Sequence, residues 1–146
     1  MFKYKLTCKP SFQVNTKIID NIFHIMWKNI SIKQNWTLNI VFSDSQNIQE
    51  LNKTYRNINK ATDVLSFHYF ENFENLKDDE IAWEIILCAE KIISQWKEYW
   101  LWEEKELYKL LIHSILHILW YDHEQDDDYT IMQEKETLIW EKVFEI

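Results

Sequence analysis

The spacing of hydrophobic positions changes several times along the chain, between a strand-like and a helix-like pattern. Short apolar runs that favour β-strands occur at four places, residues 3–8, 38–42, 63–67 and 84–88. Apolar residues that recur every three or four positions predict five helices, over residues 15–27, 45–55, 89–99, 103–119 and 130–144. Four strands interspersed with five helices predict an α+β fold with a small mixed sheet.

The length of the chain favours a single domain. It has 146 residues, close to the usual size of a domain, and contains no repeats and no low-complexity linker. Its hydrophobic content of 47% supports a folded globule, and no apolar run approaches the ~20 residues of a membrane span. The N-terminal residues lack the apolar centre of a signal peptide, and the isolated Cys8 and Cys88 indicate no disulfide framework. We therefore expect one domain over residues 1–146, in the cytoplasm and without a membrane partner.

Three of the five histidines lie close together, in the sequence H-S-I-L-H-I-L-W-Y-D-H over residues 113–123. His113 and His117 are four positions apart on a predicted helix, so both imidazoles can face one metal ion. His123 follows six positions later, where the helix can end and the chain can turn back. Three protein ligands and one open position are typical of a catalytic zinc ion, whereas structural zinc usually has four protein ligands. The spacing predicts a metal-dependent hydrolase; the alternative is a chance pair of histidines on a partly buried helix face.

Residues 51–67 carry a second group of candidate functional side chains. Arg56 is the only arginine of the chain, and Lys53, Arg56 and Lys60 have no acidic residue between them although the net charge is −8. The planar guanidinium group can bind a phosphate through two hydrogen bonds, which favours a phosphate-binding role. The alternative is a solvated helix end whose basic residues complement the helix dipole.

Together, these two segments resemble the YbeY family of endoribonucleases, also called rRNA maturation factors. The resemblance rests on the spacing of the three histidines within residues 113–123. It rests equally on the upstream segment, which reads L-N at 51–52, R at 56 and T-D-V-L-S-F at 62–67. The order and spacing of these elements agree with the family over roughly residues 35–125.

The resemblance implies a specific site and activity. One zinc ion would be bound by His113, His117 and His123 on a zincin-like metal helix, and the family's functional arginine carries to Arg56 as the catalytic residue. The implied activity is that of a single-strand-specific, zinc-dependent endoribonuclease. It would act in late maturation of the 16S rRNA 3′ end and in ribosome quality control. The implied partners are single-stranded ribosomal RNA, the small ribosomal subunit and its assembly factors.

Two other functions stay open. A zinc metallopeptidase of the zincin type has a glutamate directly after the first histidine as its general base, and this chain has Ser114 there. A ribosome assembly factor with a mainly structural metal is favoured by the net charge of −8, which opposes strong nonspecific binding to RNA. The sequence indicates neither the general base, the attacking nucleophile, the cleavage position, the native metal nor the oligomeric state.

The chain contains eight tryptophans and no glycine, although about ten glycines are expected at this length. Trp120 stands at a predicted helix end, where glycine is favoured, and both Trp83 and Trp120 stand where the family resemblance implies glycine. We therefore hypothesise that the source organism translates UGA as glycine, so that some printed tryptophans are glycines in the native protein. The alternative is a natural protein that is rich in tryptophan and lacks glycine.

Overall fold

The computed structural model describes residues 3–29, 37–68, 81–99, 105–119 and 126–144. Its strands are β1 (Lys3–Thr7), β2 (Thr37–Ser43), β3 (Val64–His68) and β4 (Ile81–Cys88). Its helices are α1 (Thr16–Asn29), α2 (Ser45–Arg56), α3 (Ala89–Tyr99), α4 (Lys105–Leu119) and α5 (Asp126–Phe144). In the part of the chain that the structure describes, these four strands and five helices confirm the predicted α+β fold class.

The strands form one mixed sheet in the order β1-β2-β4-β3. β1, β2 and β4 are parallel neighbours, and β3 runs antiparallel to β4. Parallel strands need a crossover connection, and the chain passes through α1 between β1 and β2. Because β3 is antiparallel, its first residues lie beside the carboxyl end of β4, and Val64 pairs with Leu87. The last part of the 51–67 segment therefore lies at the carboxyl ends of β2 and β4.

Alternation along the strands divides the hydrophobic core between the two faces of the sheet. On one face, Ile40 and Ile85 belong to the larger cluster, together with residues of α1, α4 and α5. On the other face, Leu65 and Ile86 pack with Ile48 of α2 in a smaller cluster. β4 contributes to both clusters, which explains why its sequence is almost continuously apolar rather than alternating.

α4 is packed on most sides. It contacts α1, α3, α5 and β3. The inward positions that the sequence predicts for this helix are buried or partly buried, namely Leu107, Leu110, Leu111, Ser114 and Ile115. The histidines therefore lie on the limited part of α4 that reaches the surface. Among the described helices, none is long and apolar enough to cross a membrane.

Two element boundaries differ from the prediction by more than two residues. β4 begins at Ile81 instead of residue 84, since Trp83 pairs with Leu38 on one side and with His68 on the other. α5 begins at Asp126 instead of residue 130. Pairing within the sheet thus extends β4 beyond its apolar pattern.

Candidate functional site

His113 and His117 lie one turn apart on the surface side of α4. Their ring centroids are 4.6 Å apart, with the ring planes inclined by 75°. The His113 side chain is 41% exposed and His117 is exposed. The structure therefore brings the first two predicted zinc ligands together at a position that a metal ion can reach. His123, the third predicted ligand, lies outside the described residues, which alone contain no group of three metal-binding side chains.

Glu136 of α5 contacts the first of these histidines. Nδ1 of His113 lies 3.0 Å from Oε2 of Glu136. An ionised carboxylate can only accept, so this hydrogen bond requires the proton of the neutral imidazole to sit on Nδ1 and leaves the lone pair of Nε2 available for a metal. The hydrogen bond to Glu136 is also the largest cause of a raised His113 pKa, against which burial acts in the opposite direction. A carboxylate that orients a metal-binding histidine is a common feature of zinc sites.

Asp63 connects the upstream segment to α4. Its negative charge contributes to the raised pKa of His113, after the effects of Glu136 and of burial. The same charge contributes to a raised pKa of Glu106, for which burial is the largest cause and Lys109 acts in the opposite direction. Glu106 is only 8% exposed and lies two turns before His113 on the same side of α4. β3, which follows Asp63, also packs against α4, so the end of the upstream segment lies next to the helix that carries His113 and His117.

Arg56 is the last residue of α2, and its side chain is exposed. The backbone after it is fixed by Asn57, which adopts a left-handed conformation with φ of 59° and donates its N–H to the carbonyl of Lys53 at 3.1 Å. Asn52, which is 4% exposed, donates its side-chain amide to the carbonyl of Lys60 at 2.9 Å. The chain leaving Arg56 is therefore folded back over α2 before it enters β3.

The structure shows no direct contact between Arg56 and the two histidines of α4. Within the described residues, no hydrogen bond or ion pair joins the Arg56 side chain to His113 or His117. Asp63 ties the end of the upstream segment to β4, because its carbonyl accepts the N–H of Cys88 at 2.8 Å.

The sequence did not reveal Glu136 and Glu106. The chain has 24 acidic residues, and nothing in the local sequence distinguishes these two carboxylates from the others. Glu136 acquires its role only when α5 packs against α4, and Glu106 is distinguished only by its burial. A buried acidic position on the inner side of a predicted helix, two turns before a candidate ligand, is the one signal that could have identified Glu106.

Comparison with known proteins decides the family. The family model described as Endoribonuclease YbeY matches residues 6–143. The chain belongs to the YbeY family. Endoribonuclease YbeY of Caldicellulosiruptor bescii is 38% identical over 133 residues, which cover 85% of this chain and 84% of that protein. Endoribonuclease YbeY of Clostridium botulinum is 36% identical over 145 residues, covering 88% and 87% of the two chains.

A solved structure agrees with the fold of this YbeY family member. The solution structure of TM1509 from Thermotoga maritima superposes with a TM-score of 0.62 at 27% identity, and the match covers 99% of this chain and 89% of that one. The resemblance found in the two sequence segments is therefore confirmed along the whole chain. Family membership supports the interpretation of the sequence as an endoribonuclease, a hydrolase that acts on RNA.

Proposed function

We propose that this protein is a zinc-dependent endoribonuclease that cleaves single-stranded RNA. The biological substrate is the 3′ end of 16S rRNA during late maturation and ribosome quality control in the cytoplasm, with the small ribosomal subunit and its assembly factors as partners. Support comes from family membership, from the resemblance of the two sequence segments and from the geometry of α4. The observation that carries the proposal is the pair of adjacent imidazoles, one of which is oriented by Glu136.

The side chains present fit a zinc ion. Imidazole nitrogen is a preferred zinc ligand, and His113 and His117 present two rings on adjacent turns of one rigid helix. The carboxylate of Glu136 holds Nδ1 of His113, so that Nε2 is the nitrogen left for the metal. His123 completes the set of three by family resemblance, and three protein ligands leave a position open for water or substrate.

The protein groups divide the chemistry between them. A zinc ion held by these histidines would supply a water of lowered pKa and Lewis-acid stabilisation of negative charge on a phosphoryl oxygen. Glu136 keeps the His113 ring in one orientation, which limits the reorganisation that the site needs during reaction. Arg56 binds a phosphate oxygen of the RNA through its two-pronged guanidinium group and stabilises negative charge there. Its exposed position at the end of α2 suits a substrate contact rather than a structural ion pair.

The experiment that tests this function is cleavage of a single-stranded precursor of the 16S rRNA 3′ end. We expect the metal-loaded protein to cleave it, and we expect chelation and His117→Ala to abolish cleavage. His24→Ala is the matched control, because His24 is an exposed histidine on α1, away from α4, and should change neither zinc content nor cleavage. Arg56→Ala should reduce cleavage by about a hundredfold while zinc content stays unchanged. Absence of cleavage by folded, zinc-loaded protein would reject the nuclease.

An assembly factor with a mainly structural metal is the second candidate. The bond between His113 and Glu136 joins α4 to α5, so a metal bound at His113 would also brace these two helices. Chelation distinguishes the two functions. Removal of a structural metal should unfold the protein, whereas removal of a catalytic metal should abolish activity before the fold is lost. A metallopeptidase is disfavoured because Ser114, at the position of the zincin glutamate, is 3% exposed and faces the core.

A further inference from the structure

Two large apolar side chains are exposed beside Arg56. Tyr55 is 66% exposed and Ile58 is 48% exposed, and they lead the large hydrophobic residues that the structure describes as exposed. Both therefore flank the arginine that the sequence singles out as a phosphate ligand. Single exposed apolar residues are common, but an aromatic ring next to a candidate catalytic arginine calls for a functional explanation.

The ring of Tyr55 is held in place rather than loosely exposed. It packs against Phe67 of β3 with ring centroids 5.2 Å apart and planes inclined by 69°. Phe67 in turn packs on the smaller core cluster under α2. The helix end that carries Tyr55 is fixed by the hydrogen bond from Asn52 to the carbonyl of Lys60. Tyr55 is thus supported from one side and open to solvent on another.

Basic residues lie close to Tyr55 in the sequence. Lys53, Arg56 and Lys60 are all exposed, and no acidic residue occurs from position 51 to position 62. Within the described residues, none of the three basic side chains forms an ion pair. The chain as a whole has a net charge of −8. The local excess of positive charge over residues 53–60 therefore favours the binding of a polyanion at this segment.

We propose that Tyr55 is a stacking platform for an unpaired base of the RNA, beside the phosphate that Arg56 binds. Proteins that bind single strands combine basic side chains, which contact the phosphates, with aromatic rings on which the bases stack. In RNA recognition, aromatic rings stack on unpaired bases, which an intact duplex does not present. The segment over residues 53–60 has both components, with exposed Lys53, Arg56 and Lys60 near the exposed ring of Tyr55. The inference rests on the proposed function for the class of substrate, and it supplies a physical reason for a single-strand preference.

The test measures binding separately from cleavage. Fluorescence anisotropy with the protein as purified gives the affinity for a short, unstructured, 2′-O-methylated oligoribonucleotide, which keeps bases and phosphates and resists cleavage. We expect Tyr55→Leu to weaken binding about tenfold, because it keeps an apolar contact with Phe67 but removes the ring face. Tyr55→Phe should bind nearly as well as the unchanged protein. Leu138→Ala, an exposed apolar position on α5, is the matched control and should have no effect.

Two further measurements separate stacking from charge. Removal of bases from the oligonucleotide should weaken binding to the unchanged protein and leave binding to Tyr55→Leu almost the same. Lys53→Ala should make the salt dependence of binding shallower, while Tyr55→Leu should leave that dependence unchanged, since counterion release reports phosphate contacts. Equal binding of the unchanged protein and a folded Tyr55→Leu variant would overturn the stacking platform alone. Failure of the unchanged protein to bind any single strand would overturn both this inference and the proposed substrate.

Discussion

At the scale of single residues, the hydrogen bond between His113 and Glu136 has the clearest chemical consequence. A neutral imidazole can carry its proton on either nitrogen, and only the nitrogen without a proton can bind a metal. Glu136 selects Nδ1 for the proton, at a distance of 3.0 Å. The His113 ring is therefore already oriented, with its proton on Nδ1, in the folded protein before a metal binds.

Glu136→Gln should weaken zinc binding by about tenfold, at the lower end of what loss of an orienting partner usually causes. Glutamine keeps the size of the side chain but offers Nδ1–H a weaker, neutral acceptor. Competition with a zinc-binding dye measures the affinity without any need for activity. Glu134→Gln is the matched control, because Glu134 is an exposed carboxylate on the same helix. Unchanged affinity in Glu136→Gln would show that the hydrogen bond does not orient the ligand.

Glu106 gives a prediction about pH. Burial is the largest cause of its raised pKa, so the folded protein holds this proton more tightly than the unfolded chain does. As pH rises above the pKa of the unfolded chain, ionisation of Glu106 lowers the stability of the fold, and this loss is complete above the pKa in the folded state. Glu106→Gln should therefore raise the melting temperature at pH 7.

The same substitution should have little effect at a pH below 4, where the carboxyl group is protonated in both states. Thermal unfolding followed by circular dichroism at both pH values measures the difference. Glu90→Gln, on the first turn of α3, provides a second acidic position near a helix start for comparison. A lower melting temperature for Glu106→Gln at pH 7 would mean that the charge of Glu106 stabilises the fold, through Lys109 or another partner.

At the scale of elements, the end of α2 shows how the chain places Arg56. Asn57 has a positive φ of 59°, a conformation that asparagine and glycine tolerate better than other residues. Its N–H satisfies the carbonyl of Lys53 at the helix end. The turn that follows is closed by Asn52 and Lys60. Arg56 and Tyr55 therefore depend on a helix end whose geometry is set by backbone requirements.

Asn57→Ala should lower the free energy of unfolding by about 1 kcal/mol, because alanine is disfavoured in the left-handed region. Asn57→Gly should leave stability unchanged or slightly improved, since glycine adopts this conformation freely. Urea unfolding of the two variants measures the difference between them. If alanine and glycine give equal stability, the left-handed turn does not constrain this helix end in solution.

The elements themselves could be predicted from the sequence to a large extent, because their apolar periodicity reflects the two faces of the sheet. α3 is found at the predicted residues, β1 differs from prediction by one residue at one end, and β2 and β3 differ by one residue at each end. The start of β4 was missed because pairing on both sides extends this strand, which only the assembled sheet provides. The same limit applies to the site. His113 and His117 are visible as a spacing along one helix, whereas Glu136 becomes their neighbour only after α5 has packed.

At the scale of the whole molecule, the most unusual feature is the presence of eight tryptophans and no glycine. The structure indicates at which of these positions a tryptophan can be accommodated. Among the described residues, Cys8 and Asn57 have a positive φ, the conformation that favours glycine, and neither is a tryptophan. Trp83 lies in β4 and is 4% exposed in the larger core cluster, so a tryptophan can be accommodated there. Trp140 lies within α5 and packs against Phe144 at 4.4 Å. A glycine at that helix position would be unfavourable by about 1 kcal/mol relative to alanine.

The recoding hypothesis therefore predicts a mixture in which some of the eight tryptophans are glycines and others are not. Trp83 and Trp120 should be glycine, because the family resemblance places glycine there, and Trp140 should remain tryptophan because its ring is packed. Mass spectrometry of the native protein should give an intact mass below the 18.1 kDa of the printed chain, with glycine at 83 and 120 in peptide maps. An intact mass that accounts for all eight tryptophans would end the hypothesis.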